Sequence, residues 1–171
     1  MSPYFFHIII NQKKGVVHMN DIGITEVNYV IDYQKDKIVA VPDFVAAFDT
    51  SKDVTPEIIQ ADEKSCEFLF TPVSNVSTGF SDSIITVKTS SGCVLTADSN
   101  LTVLTPVGYV RLCDLSLGSR VMTNGCNPRT AFVVVDEVIS IDRKNDREKV
   151  YMCRVKNESP NFVANSFVVG C

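Results

Sequence analysis

Thiol and imidazole groups are the side chains of this chain that could do nucleophilic or metal chemistry. The sequence has six cysteines and two histidines, and the thiolate form of cysteine serves both as a nucleophile and as a metal ligand. Structural zinc sites usually draw their ligands from close pairs, but no two cysteines form a C-x-x-C pair, and His7 and His18 lie far from them. We therefore expect no metal, no cofactor and reduced thiols, most of which pack as small apolar side chains. The cysteines are Cys66, Cys93, Cys113, Cys126, Cys153 and Cys171.

The composition and charge of the chain exclude several classes of function. Its 171 residues are 45% hydrophobic and carry a formal net charge of -4, which is typical of one globular domain with a real core. There is no cluster of basic residues to follow a phosphate backbone, so we expect no nucleic-acid partner. We also expect no membrane contact, because no run of residues approaches the ~20 apolar residues of a spanning helix. Residues 1–15 lack the basic flank of a signal peptide, so we interpret them as a first strand of a cytoplasmic protein.

Two hairpins are the clearest elements that the sequence predicts. Residues 84–89 are rich in β-branched side chains, break at Ser90-Ser91-Gly92 and resume directly afterwards, and Gly92 can supply the positive φ of a tight turn. Residues 101–112 show a second apolar pair of runs around Thr105-Pro106. Many short strands with turn residues between them predict an all-β fold with one or two short helices.

Three other stretches give less specific predictions. Thr55-Pro56-Glu57 has the residues of a helix N-terminus, which predicts a helix over residues 55–64. Residues 43–49 are apolar over too short a run to distinguish a helix from a strand. Residues 131–141 predict a long strand with a bend near Asp136, and the charged run 142–149 predicts a solvated loop or hairpin tip.

The end of the chain carries the most specific pattern. Residues 150–171 comprise a strand, a polar turn, the motif Asn161-Phe162-Val163-Ala164-Asn165, and an apolar run that closes on Gly170-Cys171. Upstream, residues 71–123 contain, in this order, a hairpin with Gly92, the segment Thr96-Ala97-Asp98-Ser99, and a Leu-x-x-Gly turn. Over about residues 70–171 the chain thus resembles the Hint module, the fold that inteins and hedgehog autoprocessing domains share. The resemblance implies a horseshoe of short strands and hairpins.

The resemblance also implies a chemistry. In that family a Cys or Ser at the first position attacks the preceding carbonyl carbon, and a Thr-x-x-His pair polarises the scissile peptide. A terminal Asn then cyclises with help from the His before it. Matched to this sequence, Thr96 and Ser99 stand at the Thr-x-x-His positions, Gly170 stands at the penultimate His, and Cys171 stands at the Asn.

Four positions therefore depart from the family pattern. Ser99 and Gly170 offer no imidazole, Cys171 has no carboxamide to cyclise, and Pro160 replaces a further His. Residues 20–60 contain no cysteine that could serve as the first nucleophile. Since general acid–base help alone contributes ~10²–10⁴-fold to a rate, these losses predict a degenerate domain that does not splice itself.

These departures leave two interpretations of the function. The first is a structural or protein-interaction module that binds a protein partner or itself, with a viral particle or other large assembly as one setting and no small-molecule ligand. The alternative is an active autoprocessing or split-intein domain that uses thioester chemistry, for which Thr96, Ser99 and Cys171 are the candidate catalytic residues.

We assign residues 66–171 to the Hint-like domain. Residues 1–65 either complete its β fold or form an appendage.

The final apolar run also makes a structural prediction. Phe162, Val163 and the residues 167–169 are too apolar to remain in water, because burying a Phe or Val side chain stabilises the folded state by ~1.5–3 kcal/mol. We therefore expect this C-terminal segment to be buried.

Overall fold

The computed structural model describes residues 22–25, 28–32, 37–50, 57–127, 130–156 and 160–170. Within these ranges fourteen strands form one sheet in which every paired strand is antiparallel to its neighbour. The all-β prediction is thereby confirmed. The strand expected at residues 1–15, both histidines and Cys171 lie outside the described residues.

The strands are β1 (Ile24–Thr25), β2 (Tyr29–Asp32), β3 (Lys37–Ala40), β4 (Glu57–Ala61), β5 (Phe68–Ser81), β6 (Ile84–Thr89), β7 (Val94–Asp98), β8 (Thr102–Thr105), β9 (Gly108–Arg111), β10 (Arg120–Thr123), β11 (Val134–Lys144), β12 (Glu148–Val155), β13 (Asn161–Ala164) and β14 (Phe167–Gly170). One α-helix, α1 (Val41–Thr50), follows β3, and a 3₁₀ turn spans Leu112–Asp114.

Strands from both ends of the chain alternate in the sheet. The order is β3-β2-β4-β5-β12-β1-β7-β6-β11-β10-β14-β8-β9, with β13 paired to β14. The short strand β1 lies between β12 and β7, and Ile24 pairs with Tyr151 on one side and Ala97 on the other. Ile24, Phe44 and Ile58 are fully buried in the same core cluster as Leu95 and Phe162. The division of the chain at residue 65 stays a prediction, although the described residues on both sides of it share this core.

Both predicted hairpins are present. β6 and β7 pair from Ile84↔Asp98 to Lys88↔Val94, and Gly92 in their turn has a φ of 93°. β8 and β9 pair across a turn that ends at Gly108, whose φ is 115°. Side chains with a Cβ rarely adopt such φ values, so the two glycines allow the chain to reverse in a few residues.

The C-terminal segment is buried, as its composition predicts. β13 and β14 form a hairpin in which Phe162, Phe167 and Val169 are wholly inaccessible to solvent. Asn165 and Ser166 form the turn and both have positive φ, 44° and 75°, as the two central residues of a tight hairpin turn require.

The helix predicted over residues 55–64 is wrong. Residues 57–61 form β4, which pairs with β5 from Glu57↔Pro72 to Ala61↔Phe68. Ile58, Ile59 and Gln60 are all buried, so this strand is covered on both faces. A strand buried on both faces loses the alternating pattern that would distinguish it from a helix, and its tertiary contacts outweigh the local helix-start residues.

The structure also decides the other three predictions, for residues 43–49, the long strand and the charged run. Residues 43–49 lie inside α1, where Pro42 and Asp43 occupy the first turn, both favourable there because Pro lacks an N–H and Asp complements the helix dipole. The long strand β11 extends to Lys144 and β12 starts at Glu148, so only three residues of the charged run form the hairpin tip. The irregularity of β11 falls between Val138 and Ser140 rather than at Asp136.

Candidate functional site

Thr96, the first of the candidate catalytic residues, lies in the middle of β7 and is held there by the fully buried Asn28. The Asn28 amide nitrogen donates to the Thr96 carbonyl oxygen at 2.6 Å, and the Thr96 N–H donates to the Asn28 side-chain oxygen at 3.2 Å. The Thr25 hydroxyl donates to the same carbonyl at 3.1 Å. The Thr96 hydroxyl lies 3.0 Å from that of Thr86 on β6. Thr96 is thus fixed mainly through its backbone.

Ser99, the second candidate, follows β7 and is held by backbone hydrogen bonds on both sides. Its N–H donates to the Ser83 carbonyl and its carbonyl accepts from the Cys113 N–H, each at 2.9 Å. The preceding residue, Asp98, is buried and accepts hydrogen bonds from the Ser81 hydroxyl at 2.5 Å and the Asn100 N–H at 2.8 Å. This segment therefore contains no imidazole but does contain a buried carboxyl group.

The segment from Thr96 to Ser99 touches the start of β1. The Asp98 N–H donates to the Gly23 carbonyl oxygen at 2.9 Å. We call this contact, formed by Gly23, Asn28, Thr96, Asp98 and Ser99, the β1–β7 junction.

Gly23 has no room for a side chain. A Cβ placed there would lie 2.5 Å from the carbonyl oxygen and 2.9 Å from the carbonyl carbon of Tyr151. Both atoms belong to the backbone of β12, which cannot move without breaking its pairing with β5. The junction is thus closed by backbone on the side where Gly23 faces Tyr151.

Gly170, at the end of β14, is also crowded, but by side chains. A Cβ there would collide with the Thr102 hydroxyl and would lie 3.4 Å from the Tyr109 ring. The Tyr109 hydroxyl in turn donates to Glu63 at 2.7 Å. Cys171, the third candidate, lies outside the described residues, and Pro160 is exposed just before β13.

A second region holds reactive groups that the sequence did not single out. The sulfur atoms of Cys93 and Cys126 lie 2.6 Å apart, although the residues are 33 positions apart in the chain. Cys93 is 1% exposed beside the β6–β7 turn, whereas Cys126 is exposed in the β10–β11 loop. Partial burial of the thiol, with the neighbouring Cys93, raises the pKa of Cys126 to about 11. No spacing motif links these two cysteines, so only the fold reveals the pair.

Asp136 on β11 lies beside the cysteine pair within a set of hydroxyl donors. It accepts hydrogen bonds from the hydroxyls of Ser90 at 2.8 Å, Thr123 at 3.4 Å and Ser91, and from the Glu137 N–H at 2.9 Å. Burial opposes ionisation of Asp136, but hydrogen bonds from the Ser91, Thr89 and Ser90 side chains and from the Ser91 N–H outweigh it and lower its pKa to about 2. The carboxylate therefore ties the β6–β7 turn to β10 and β11.

The turn of the C-terminal hairpin closes the same region. The Asn165 amide donates to the Val94 carbonyl at 2.9 Å, and the Asn124 N–H donates to the Ser166 carbonyl at 3.0 Å. A cleft of about 300 Å³ opens here. We call it the cysteine cleft; its lining includes Cys93, Val94, Asn124, Cys126, Asn165 and Ser166.

Among the described residues no group of three or more His, Cys, Asp or Glu side chains is arranged to hold a metal ion. In the same part of the chain, no helix has the length and apolar character needed to cross a membrane.

The described fold is similar to solved intein structures. The DnaB intein from Synechocystis sp. PCC 6803 superposes with a TM-score of 0.74 at 24% identity, over 88% of this chain and 99% of the intein. The TvoVMA intein superposes with a TM-score of 0.74 at 16% identity, over 86% and 96% of the two chains. For the transcription factor IIB Mvu mini-intein the TM-score is 0.74 at 18% identity, over 88% and 100%.

Sequence comparison alone finds no such relatives: no protein-family model matches the chain, and no curated protein matches it significantly. The structural similarity spans most of the chain, and it shows that this protein has an intein-like Hint fold. The resemblance inferred from residues 70–171 is thereby confirmed for the fold.

Proposed function

We propose that this protein is a degenerate intein-like Hint domain that neither splices nor cleaves itself and that serves as a structural or protein-interaction module. The observation that carries the proposal is the closed space at Gly23. In the family chemistry, the nucleophile must lie beside the segment that polarises the scissile peptide. Gly23 is the residue whose carbonyl group accepts a hydrogen bond from that segment, through the Asp98 N–H. We therefore place the first position of the module at Gly23.

A Cys or Ser side chain cannot occupy that position in this fold. Its Cβ would lie 2.5 Å from the Tyr151 carbonyl oxygen, closer than carbon and oxygen approach without a bond. The chain offers no nucleophilic side chain at Gly23, and acyl transfer to a side chain needs one. With Gly23 as the first position, the first covalent step has no attacking atom, and this supports an inert domain more strongly than the loss of a helper residue.

Two further positions support the same proposal. Ser99 has a hydroxyl where the family has an imidazole, and a hydroxyl does not titrate near neutral pH as imidazole does. Gly170 has no side chain, and its surroundings are filled by Thr102 and Tyr109. An imidazole at residue 170 would need both of those side chains to move.

Exposed apolar side chains support a role in protein contact. Phe132 and Val135 are 55% and 54% exposed, and Val134 beside them is 40% exposed. Phe132 pairs with Glu67 in an isolated β-bridge two residues before β11 begins. Exposed apolar side chains often lie in interaction surfaces, and because consecutive strand residues face opposite sides, Val134 and Val135 expose apolar groups on both faces of β11. Light scattering over a concentration series tests self-assembly at this surface. Val135→Glu should reduce any assembly, whereas Leu117→Glu, at an exposed residue elsewhere, should leave it unchanged.

The processing activity is tested by placing the chain between two reporter proteins. We expect the fusion to remain one polypeptide for days with or without dithiothreitol, while the Synechocystis DnaB intein in the same fusion provides a control for assay conditions. Release or ligation of the reporters by this chain alone would establish the autoprocessing alternative. Processing that required a separately added chain segment would establish the split-intein alternative.

A further inference from the structure

The cysteine cleft contains a pair of thiols that the proposed function does not use. Cys93 follows the β6–β7 turn and Cys126 lies in the β10–β11 loop, yet their sulfurs are 2.6 Å apart. Two unbonded sulfur atoms normally rest farther apart than this, and a disulfide bond measures ~2.05 Å. The fold therefore places the two sulfurs where small adjustments of the side chains complete a bond.

The two thiols differ in their access to solvent. Cys126 is exposed, whereas Cys93 is 1% exposed. A dissolved oxidant can therefore reach Cys126, and Cys93 is then the nearest thiol to resolve the product. Thiol–disulfide exchange proceeds through a mixed disulfide, so an exposed thiol with a second thiol within reach can complete it.

We propose that Cys93 and Cys126 form a reversible disulfide, with a low-molecular-weight disulfide such as glutathione disulfide as the oxidant. The Cys126 thiolate attacks one glutathione sulfur, forms a mixed disulfide and releases the first glutathione thiolate. The Cys93 thiolate then attacks the Cys126 sulfur and releases the second. The protein dithiol loses two electrons and two protons, and the oxidant becomes two molecules of glutathione.

The bond would join three segments that meet at the cleft. Asn165 of the C-terminal turn donates to the carbonyl of Val94, the residue after Cys93, and Ser166 accepts from Asn124, two residues before Cys126. A covalent link between Cys93 and Cys126 would therefore hold both partners of this turn in place. Because it would also close a loop of about 33 residues, the link would restrict the unfolded chain and raise the unfolding temperature.

The environment of Cys126 sets the pH dependence of the reaction. Partial burial and the neighbouring Cys93 raise the pKa of Cys126 to about 11, and the Asp136 carboxylate acts in the same direction. The reactive thiolate is therefore scarce at neutral pH. Its concentration, and the rate of the first step, should rise about tenfold per pH unit between pH 7 and 9.

The test is to incubate the whole chain with glutathione disulfide at pH 8.5 and to map it with trypsin without reduction. Trypsin places Cys93 in peptide 89–111, Cys113 in peptide 112–120 and Cys126 in peptide 121–129, so each linkage has its own mass. We expect peptides 89–111 and 121–129 to be joined. We also expect an unfolding temperature about 5–10 °C higher that dithiothreitol reverses.

Single variants separate the two roles. Cys93→Ser should accumulate a mixed disulfide of glutathione at Cys126, and Cys126→Ser should form neither product at Cys93. Cys113→Ser, a partly exposed cysteine outside the cleft, should behave as the unsubstituted chain. Glutathione on Cys66 or Cys113 without the 89–111 to 121–129 link would overturn the proposal. A link that leaves the unfolding temperature unchanged would overturn the claim that it stabilises the cleft.

Discussion

The β1–β7 junction and the cysteine cleft are opposites in how they use side chains. The junction, at which we propose the first position of the module, is held together by backbone groups and by the Asn28 and Thr25 side chains, and Gly23 has no side chain. The cleft has two thiols and a carboxylate with a pKa of about 2, at a position that the family chemistry does not assign. Backbone pairing, rather than reactive side chains, therefore holds the fold together at the junction.

The largest expected effect comes from filling the space at Gly23. Gly23→Ala places a Cβ 2.5 Å from the Tyr151 carbonyl oxygen, and because that atom is backbone the clash cannot be relieved by a rotamer change. We expect the free energy of unfolding to fall by about 3 kcal/mol or more, measured by denaturant unfolding. A Gly23→Ala protein as stable as its parent would show that the junction has room for a nucleophile.

The next largest loss of unfolding free energy is expected at an asparagine of the junction, which can be compared with an asparagine of the cleft. Asn28→Ala removes the buried amide that bonds Thr96 twice and leaves the Thr96 carbonyl with a weakened set of donors. We expect a loss of about 2–3 kcal/mol of unfolding free energy. Asn165→Ala removes the exposed hydrogen bond to Val94 and places an alanine at a positive φ, so it should cost about 1–1.5 kcal/mol. Equal losses at the two sites would contradict the view that the junction is the more tightly bonded region.

Acid should weaken the cysteine cleft through Asp136. Its pKa is about 2 in the folded protein against 3.8 ordinarily, so folding favours the ionised form. The resulting stability, about 2 kcal/mol, is fully present above about pH 5 and is lost as the pH falls through 4 toward 2. Denaturant unfolding of the parent and of Asp136→Asn over this range measures it. The difference between the two proteins should shrink on acidification, and a constant difference would refute this role.

The smallest effect is expected at Gly170, where side chains rather than backbone cause the crowding. Gly170→Ala brings a Cβ against the Thr102 hydroxyl, which can rotate away, so we expect a loss of about 1 kcal/mol. In the Thr102→Ala background the same substitution should cost little. A double-mutant cycle in unfolding free energy measures this coupling, and purely additive effects would show that Thr102 is not the obstacle.

The sequence predicts the elements whose conformation is decided locally. The β6–β7 hairpin follows from Gly92, which tolerates positive φ, and the β8–β9 hairpin follows from the turn residues Thr105-Pro106 between two apolar runs. The buried C-terminal hairpin follows from its apolar residues. β4 could not be predicted in the same way, since Ile58, Ile59 and Gln60 are buried on both faces and their conformation depends on pairing with β5.

Among the candidate site residues, too, some follow from a local motif and others only from the fold. Thr96 and Ser99 could be located from a motif, because a motif records spacing along one segment. The first position that we propose, Gly23, could not be located in this way, since the proposal depends on the hydrogen bond from Asp98, 75 residues later in the chain. The contact between Cys93 and Cys126 likewise depends on how two loops meet, and no local pattern records it. The role of Asn28 depends in the same way on the pairing of β1 with β7.

The intact mass of the purified chain tests whether this fold has lost its self-processing chemistry, as we propose. The chain is incubated for days with dithiothreitol or with hydroxylamine, both of which cleave a thioester or ester. We predict that the mass corresponding to all 171 residues remains unchanged by either reagent. Loss of a defined fragment in the presence of either reagent, above all a fragment that ends at residue 22, would show that the junction still forms a reactive ester and that the domain is not inert.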